Sequence, residues 1–231
     1  MNQNNQLKEF YTKKYPWLRI NKKGPKYRAK RRTQQVIKAI KKFYPQPRSI
    51  LDLGAAEGLM LSQIKKEFPE SNCIGLELFS ELAALNKNPD IKIIQGNAQN
   101  IPFPDNFFDV IIAAAVIEHI SNPTKMMNQI YKALRKNGVV IITTPNPFFD
   151  QIDSFFSFVS GKNQIHAIAH QETFSLRKIK SLFDKTRLKA IQCERFMISP
   201  IGFPFELKIE KILKILKLDF ILINQIAVGQ K

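Results

Sequence analysis

The stretch ILDLGAAEGLM, Ile50 to Met60, ends an apolar run on an acid, Asp52, and follows it with a short loop bounded by Gly54 and Gly58. A strand that enters a helix through a glycine turn brings backbone N–H groups up to a ligand. A dinucleotide fingerprint needs Gly-x-Gly-x-x-Gly, because the middle glycine lets the backbone approach a pyrophosphate. Counted from Gly54, those later positions hold Ala56 and Leu59, and no phosphate-loop Lys-Ser/Thr pair follows. A pyrophosphate clamp is therefore not expected. Alanine at 56 adds one methyl group and is expected to keep ordinary backbone angles. A second acid, Glu77, closes the apolar run CIGLE nineteen residues after Gly58. The three histidines are the candidate bases. His119 follows Glu118 at the end of an apolar run; His166 and His170 would share one face of a helix. That pair could ligate a metal, but Glu172 is the only evident third ligand, so no metal site is expected.

The elements that must position these groups alternate. SILDL, NCIGLEL, IKIIQG, FFDVIIAAAVI and VVIITTP read as strands, apolar throughout rather than in alternate positions. Helical patterns separate them, among them EGLMLSQIKKEF, SELAALNK with Ser80 as N-cap, and NPTKMMNQIYKALRKNG with Pro123 near its start and Gly138 past its end. Strand–helix alternation with continuously apolar strands means a parallel sheet covered on both faces. Beyond Pro145 come a Phe-rich loop, a helix in SLRKIKSLFDK, a strand in LKAIQCERFMI, a helix in FELKIEKILKILKL and a last strand in FILINQIAVGQ.

These motifs resemble, in order, those of class I S-adenosylmethionine-dependent methyltransferases of the quinone-biosynthesis-like type. ILDLGAAEG is similar to the family's ILDLGCGEG, and QGNAQNIPFPDNFFDVII to its xGDAxxLPFxDxxFDxV. AAAVIEHISNP with IYKALRKNGVVIITTPNP is similar to its VLEHLxDP and RVLKPGG…PN segments. The resemblance implies a Rossmann-like, doubly wound α/β fold: a mostly parallel seven-stranded sheet with helices on both faces and the last strand antiparallel. It implies S-adenosylmethionine as cofactor, held by Asp52, Gly54, Ala55, Ala56, Gly58, Glu77, Leu78, Asn97, Ala98 and Ala113. One carboxylate favours the methionine ammonium and the other accepts from the ribose hydroxyls. Asn97 stands where the family often has an Asp facing the adenine amino group; its carbonyl can accept and its amide donate. His119 and His170 are then the candidates for a base or for the acceptor pocket.

Fifteen of the 36 Lys and Arg residues, but only one acid, Glu9, fall within residues 1–48, so the N-terminal segment carries most of the net charge of +17. Three roles compete for this segment: contact with nucleic acid, contact with an anionic membrane, or a lid over the cofactor. The expected division is a basic segment with an amphipathic helix or lid over residues 1–46 and a methyltransferase domain over 47–231. Within the latter, 148–220 would hold acceptor-side insertions. The helix containing Phe205, Ile209, Ile212, Leu213 and Leu216 has the pattern of a basic amphipathic helix that can lie in a membrane interface, but the commoner arrangement, expected here, turns that stripe to the core and the lysines to water. Together with the Phe-rich segment it suggests a small-molecule or a lipid- or glycan-linked acceptor. An RNA substrate and a non-catalytic binding module are the alternatives. Cys73 and Cys193 have no ligand or redox spacing and are expected to be buried thiols. No apolar run has transmembrane length, so a cytoplasmic location is expected, with residues 8–48 as a candidate contact for either an anionic membrane surface or nucleic acid.

Overall fold

A computed structural model describes residues 8–149 and 172–231. Seven strands form one sheet in the order β3-β2-β1-β4-β5-β7-β6. They are β1 (Ser49–Leu53), β2 (Asn72–Glu77), β3 (Lys92–Gln95), β4 (Phe108–Ala114), β5 (Leu134–Pro145), β6 (Lys189–Phe196) and β7 (Asn224–Gln230). Pairing is parallel from β3 to β5, and β7 lies antiparallel between β5 and β6. Strand order therefore reverses between β1 and β4, the switch point at which open α/β sheets bind ligands beyond their carboxyl ends.

Because successive side chains point to opposite faces, one strand feeds two cores. Leu51, Leu53, Ile111 and Ala113 pack with Met127 and Ile130 of α5 (Pro123–Ala133) and with Ile179 and Phe183 of α6 (Leu176–Lys185). Ile50, Val110 and Ile112 pack on the other face with Val36 and Ile40 of α2 (Lys23–Phe43) and Leu61 and Ile64 of α3 (Leu59–Glu67). Each fully buried Leu or Ile contributes about 1.5–3 kcal/mol by leaving water, which makes both layers the main support of the sheet. The short α4 (Ser80–Ala83) and α7 (Glu206–Ile215) complete the numbered helices, after α1 (Tyr15–Asn21) and a π-helical turn at Phe10–Lys14.

Several expected elements shift. The helix that starts at Pro123, capped by the Asn122 side chain accepting Lys125 N–H at 2.9 Å, ends at Ala133 rather than near Gly138. Leu134 already pairs with Phe108, and a register break follows on β4. Sheet pairing thus claims the residues that helical periodicity assigned to the helix. Ser80 begins α4 instead of capping it; the cap position is Phe79. Cys73 is buried as expected, but Cys193 is exposed, because β6 forms the sheet edge. The basic segment is helical almost throughout from residue 8 to Phe43, with Pro16 at the junction of the π-helical turn and α1.

Asp109, from the FFDVI motif, secures the amino end of the sheet. Its carboxylate accepts from Arg48 N–H at 2.7 Å, Ser49 N–H at 3.0 Å, the Tyr44 hydroxyl at 3.0 Å and Arg135 Nη1 at 3.1 Å. Burial alone would raise its pKa, yet these donors hold the carboxyl below the usual aspartate range.

Candidate active site

At the carboxyl end of β1 the chain turns through two left-handed glycines. Gly54 has φ +67°, and a Cβ there would come within 2.7 Å of Val116 Cγ2, so the loop after β1 lies directly on the loop after β4. Gly58, at φ +78°, caps α3, and a Cβ there would meet Ile91 Cδ1 at 2.7 Å. Backbone bonds from Gly54 N–H to Leu76 O at 2.7 Å and from Gly58 N–H to Ala55 O at 2.9 Å fix the turn against β2. Ala55 is buried beside Gly75, whose missing side chain makes room for it.

Ala56 departs from the expectation of ordinary angles. Its φ is +49°, in the left-handed region that costs a residue with a Cβ roughly 1–2 kcal/mol. A specific bond holds it there: Ala56 N–H donates to Glu77 Oε2 at 2.8 Å. The gain from relieving that strain is partly offset by the greater unfolded-state freedom of glycine. Ala56→Gly is therefore expected to raise stability by about 0.5 kcal/mol in chemical denaturation, with cofactor affinity within about twofold of wild type.

Glu77 is 5% exposed at the end of β2, and its second oxygen, Oε1, accepts Phe79 N–H at 3.1 Å. Burial pushes its carboxyl above the ordinary glutamate range, and the N–H groups of Phe79 and Ala56 pull it partly back. Asp52 is buried one residue before the end of β1, in register with Gly75 on one side and Ile112 on the other. Leu78 is exposed on the rim next to Glu77. Across the rim Gly96 N–H donates to Glu77 O at 2.8 Å, which sets Asn97 and Ala98 beside the acid. Asn97 Oδ1 accepts Gln99 N–H at 2.8 Å and so shapes its own turn; the side chain is exposed and presents its amide as a donor at the rim. Ala113 is fully buried near the end of β4.

After β4 the chain passes Ala115, at φ +57°, into a 3₁₀ turn at Ile117–His119. Glu118 is 2% exposed and its Oε2 accepts no hydrogen bond from the described residues. His119 is half-buried beside it. The structure thus brings Asp52, Gly54, Ala56, Gly58, Glu77, Leu78, Asn97 and His119 to one edge of the sheet. His166 and His170 lie outside the described residues. The TPNP motif serves the fold: Asn146 Nδ2 donates to Phe220 O at 2.8 Å and Leu222 O at 2.7 Å.

Sequence reasoning missed a buried polar contact between α2 and α7. Arg31 Nη2 meets Glu210 Oε2 at 2.5 Å, and the Tyr27 hydroxyl donates to Glu206. Burial and that bond push the Tyr27 phenol up to about 12. The available signal was spacing: Tyr27 and Arg31 are four apart, as are Glu206 and Glu210, the two acids of a lysine-rich helix.

A strand order that reverses between β1 and β4, with acids at the ends of β1 and β2 and a glycine turn between them, defines the Rossmann-like class that holds a nucleoside-type ligand over its sheet edge. Residues 27–192 match the model of a methyltransferase-domain family, and the chain belongs to that family of class I S-adenosylmethionine-dependent methyltransferases. Malonyl-[acyl-carrier protein] O-methyltransferase of Halalkalibacterium halodurans is 28% identical over 120 residues, 48% of this chain and 44% of the relative. Phosphoethanolamine N-methyltransferase 2 of Caenorhabditis elegans is 28% identical over 171 residues, 68% of this chain and 37% of the relative. The matches thus span less than half the length of these curated relatives. In fold, the chain is similar to an S-adenosylmethionine-dependent methyltransferase from Thermotoga maritima, with a TM-score of 0.68 at 14% identity, covering 98% of this chain and 99% of that one. The residues fit the family's cofactor: Glu77 supplies a buried carboxylate beside a turn whose left-handed positions are Gly54, Ala56 and Gly58, none with a side chain larger than a methyl group.

Proposed function

We propose that this protein transfers a methyl group from S-adenosylmethionine to a small-molecule or lipid- or glycan-linked acceptor by direct in-line displacement. The observation that carries the reading is Glu77, buried at the end of β2 with its two oxygens tying the glycine turn to the start of the next loop. Beyond the backbone N–H groups of Ala56, Leu78 and Phe79, the carboxylate keeps acceptor capacity for the ribose hydroxyls. Asp52 sets negative charge under the glycine turn, where an ammonium is favoured. Asn97 and Ala98 border the adenine end, with Leu78 as an apolar contact on the rim.

The bound sulfonium supplies an already activated methyl group; as the acceptor's lone pair forms the new bond to carbon, the C–S pair returns to sulfur. What the protein must add is mainly positioning and exclusion of water. His119, half-buried on the loop after β4, is our candidate to take a proton from an acceptor that must lose one. Glu118, with an acceptor atom unused by the described residues, supports a donor-bearing ligand at the same rim. Calorimetric titration with S-adenosylmethionine tests the reading: a stoichiometric complex is expected, and no binding at millimolar cofactor overturns it.

A further inference from the structure

Helix α7 exposes the apolar stripe expected to turn to the core, while its outer lysines face water as expected. Its two acids, Glu206 and Glu210, are buried, while its apolar side chains face water. Phe203, Phe205, Leu207, Ile212, Ile215 and Leu216 are between 42% and 70% exposed. This orientation is built in, because the acids are held from below. Glu210 Oε2 takes the Arg31 guanidinium and Met197 N–H at 3.1 Å. Glu206 takes the Tyr27 hydroxyl and, through Oε1, Ile198 N–H at 3.1 Å. Rotating the helix to bury its apolar side would strip partners from two buried carboxylates.

An apolar face of this extent on a protein surface marks an interaction site. Its surroundings identify the partner. Lys208 and Lys211 lie on the same outer side of α7, Lys217 follows its end, and all three are exposed. The apolar loop before α7 abuts the basic segment: a Cβ on Gly24 would lie 3.7 Å from Ile201 Cγ2, and Gly202 packs on the Tyr27 ring. Lys22, Lys23 and Lys26 are exposed in the same N-terminal stretch as Gly24 and Tyr27. At its other end the patch continues through Phe220, whose ring meets that of Phe148 at 6.5 Å, edge to face. Phe148 follows the carboxyl end of β5, the sheet edge that also presents Glu77 and His119.

We infer that this face docks on an anionic lipid bilayer, with α7 lying in the interface plane. Apolar side chains enter the headgroup–acyl boundary while Lys208 and Lys211, set among them, extend their ammonium groups to the lipid phosphates. Among the described residues no helix is long and apolar enough to cross a membrane. The sheet edge that carries the site is brought near the lipid, whatever the acceptor.

Flotation of the full chain with vesicles tests this without turnover, so a failed acceptor assignment leaves it standing. Binding is expected to phosphatidylcholine vesicles containing phosphatidylglycerol and not to phosphatidylcholine alone, and to weaken with added salt. Ile212→Glu with Ile215→Glu should reduce the bound fraction about tenfold or more, as should Lys208→Glu with Lys211→Glu. Both pairs are on the surface, and unchanged calorimetric affinity for S-adenosylmethionine serves as the control for folding. Three results would each overturn the inference: no binding by the wild type, equal binding by the Ile212→Glu/Ile215→Glu variant, or a lipid-free dimer that this variant converts to monomer. The last would assign the face to a second copy of the chain.

Discussion

Replacing Glu77 with alanine is expected to weaken binding of S-adenosylmethionine about a hundredfold while the sheet stays folded. Hydrogen bonds to a charged group contribute about 1.5–3 kcal/mol each, so losing two ribose contacts removes at least ~3 kcal/mol. The variant also releases Ala56 N–H, the bond that holds the glycine turn in its left-handed conformation. Glu77→Gln retains one acceptor oxygen and should lose about tenfold. Calorimetry distinguishes the cases, and affinity within threefold of wild type for Glu77→Ala would remove this residue from the ribose site.

The same residue sets a pH dependence of binding. Burial raises the Glu77 carboxyl above its ordinary value, so the native state keeps this proton to higher pH than the unfolded chain. Its own contribution to stability is then fully present below the unfolded pKa and is lost as pH rises through the folded one. Cofactor binding runs the other way, because ribose hydroxyls donate to the ionised form. Affinity should fall as pH drops through the raised pKa, and binding should release a proton, read by titration in buffers of different ionisation enthalpy. Glu77→Gln should abolish both effects.

The second large effect is on stability. Arg31→Ala is expected to cost about 3 kcal/mol in chemical denaturation, since it leaves Glu210 buried without its main counter-charge. Arg31 and Glu210 are 4% and 5% exposed, and the remaining donors to Glu210 are Met197 N–H and the more distant Lys214 ammonium at 3.6 Å. Removing both charges should be far milder: Arg31→Met with Glu210→Met is expected to recover most of the loss, because a buried ion pair contributes little beyond what matched apolar side chains supply. A double variant as unstable as Arg31→Ala would show that the pair contributes more than mutual neutralisation. The Arg31→Ala variant should also loosen α7, since Glu210 is one of the two side chains that anchor it to α2.

Much of the site was legible because its residues sit at strand ends. Asp52 and Glu77 each close a continuous apolar run, and in a parallel sheet all such ends fall on one edge. The glycine pattern at 54 and 58 marked the turn for the same local reason. Less legible was the conformation of Ala56: a non-glycine residue gives no sign of a positive φ, and the bond that imposes it comes from Glu77, twenty-one residues away. The end of α5 was misplaced because residues 134–137 fit a helical period, while pairing of Leu134 with Phe108 is a contact between distant segments.

The largest reversal is α7. Sequence periodicity reports that a helix has an apolar side and a charged side; it does not report which side meets the protein. The charge of the N-terminal segment was equally plain in sequence, but not that Arg31 leaves it for the interior. The parallel sheet, its glycine turn and its two acids are readable from residue order, because they follow from local periodicity and from residues at strand ends. The direction in which α7 faces is not, because it depends on contacts between distant segments. Two buried carboxylates, each satisfied by a partner 179 residues away, outweigh the ordinary tendency of an apolar stripe to turn inward.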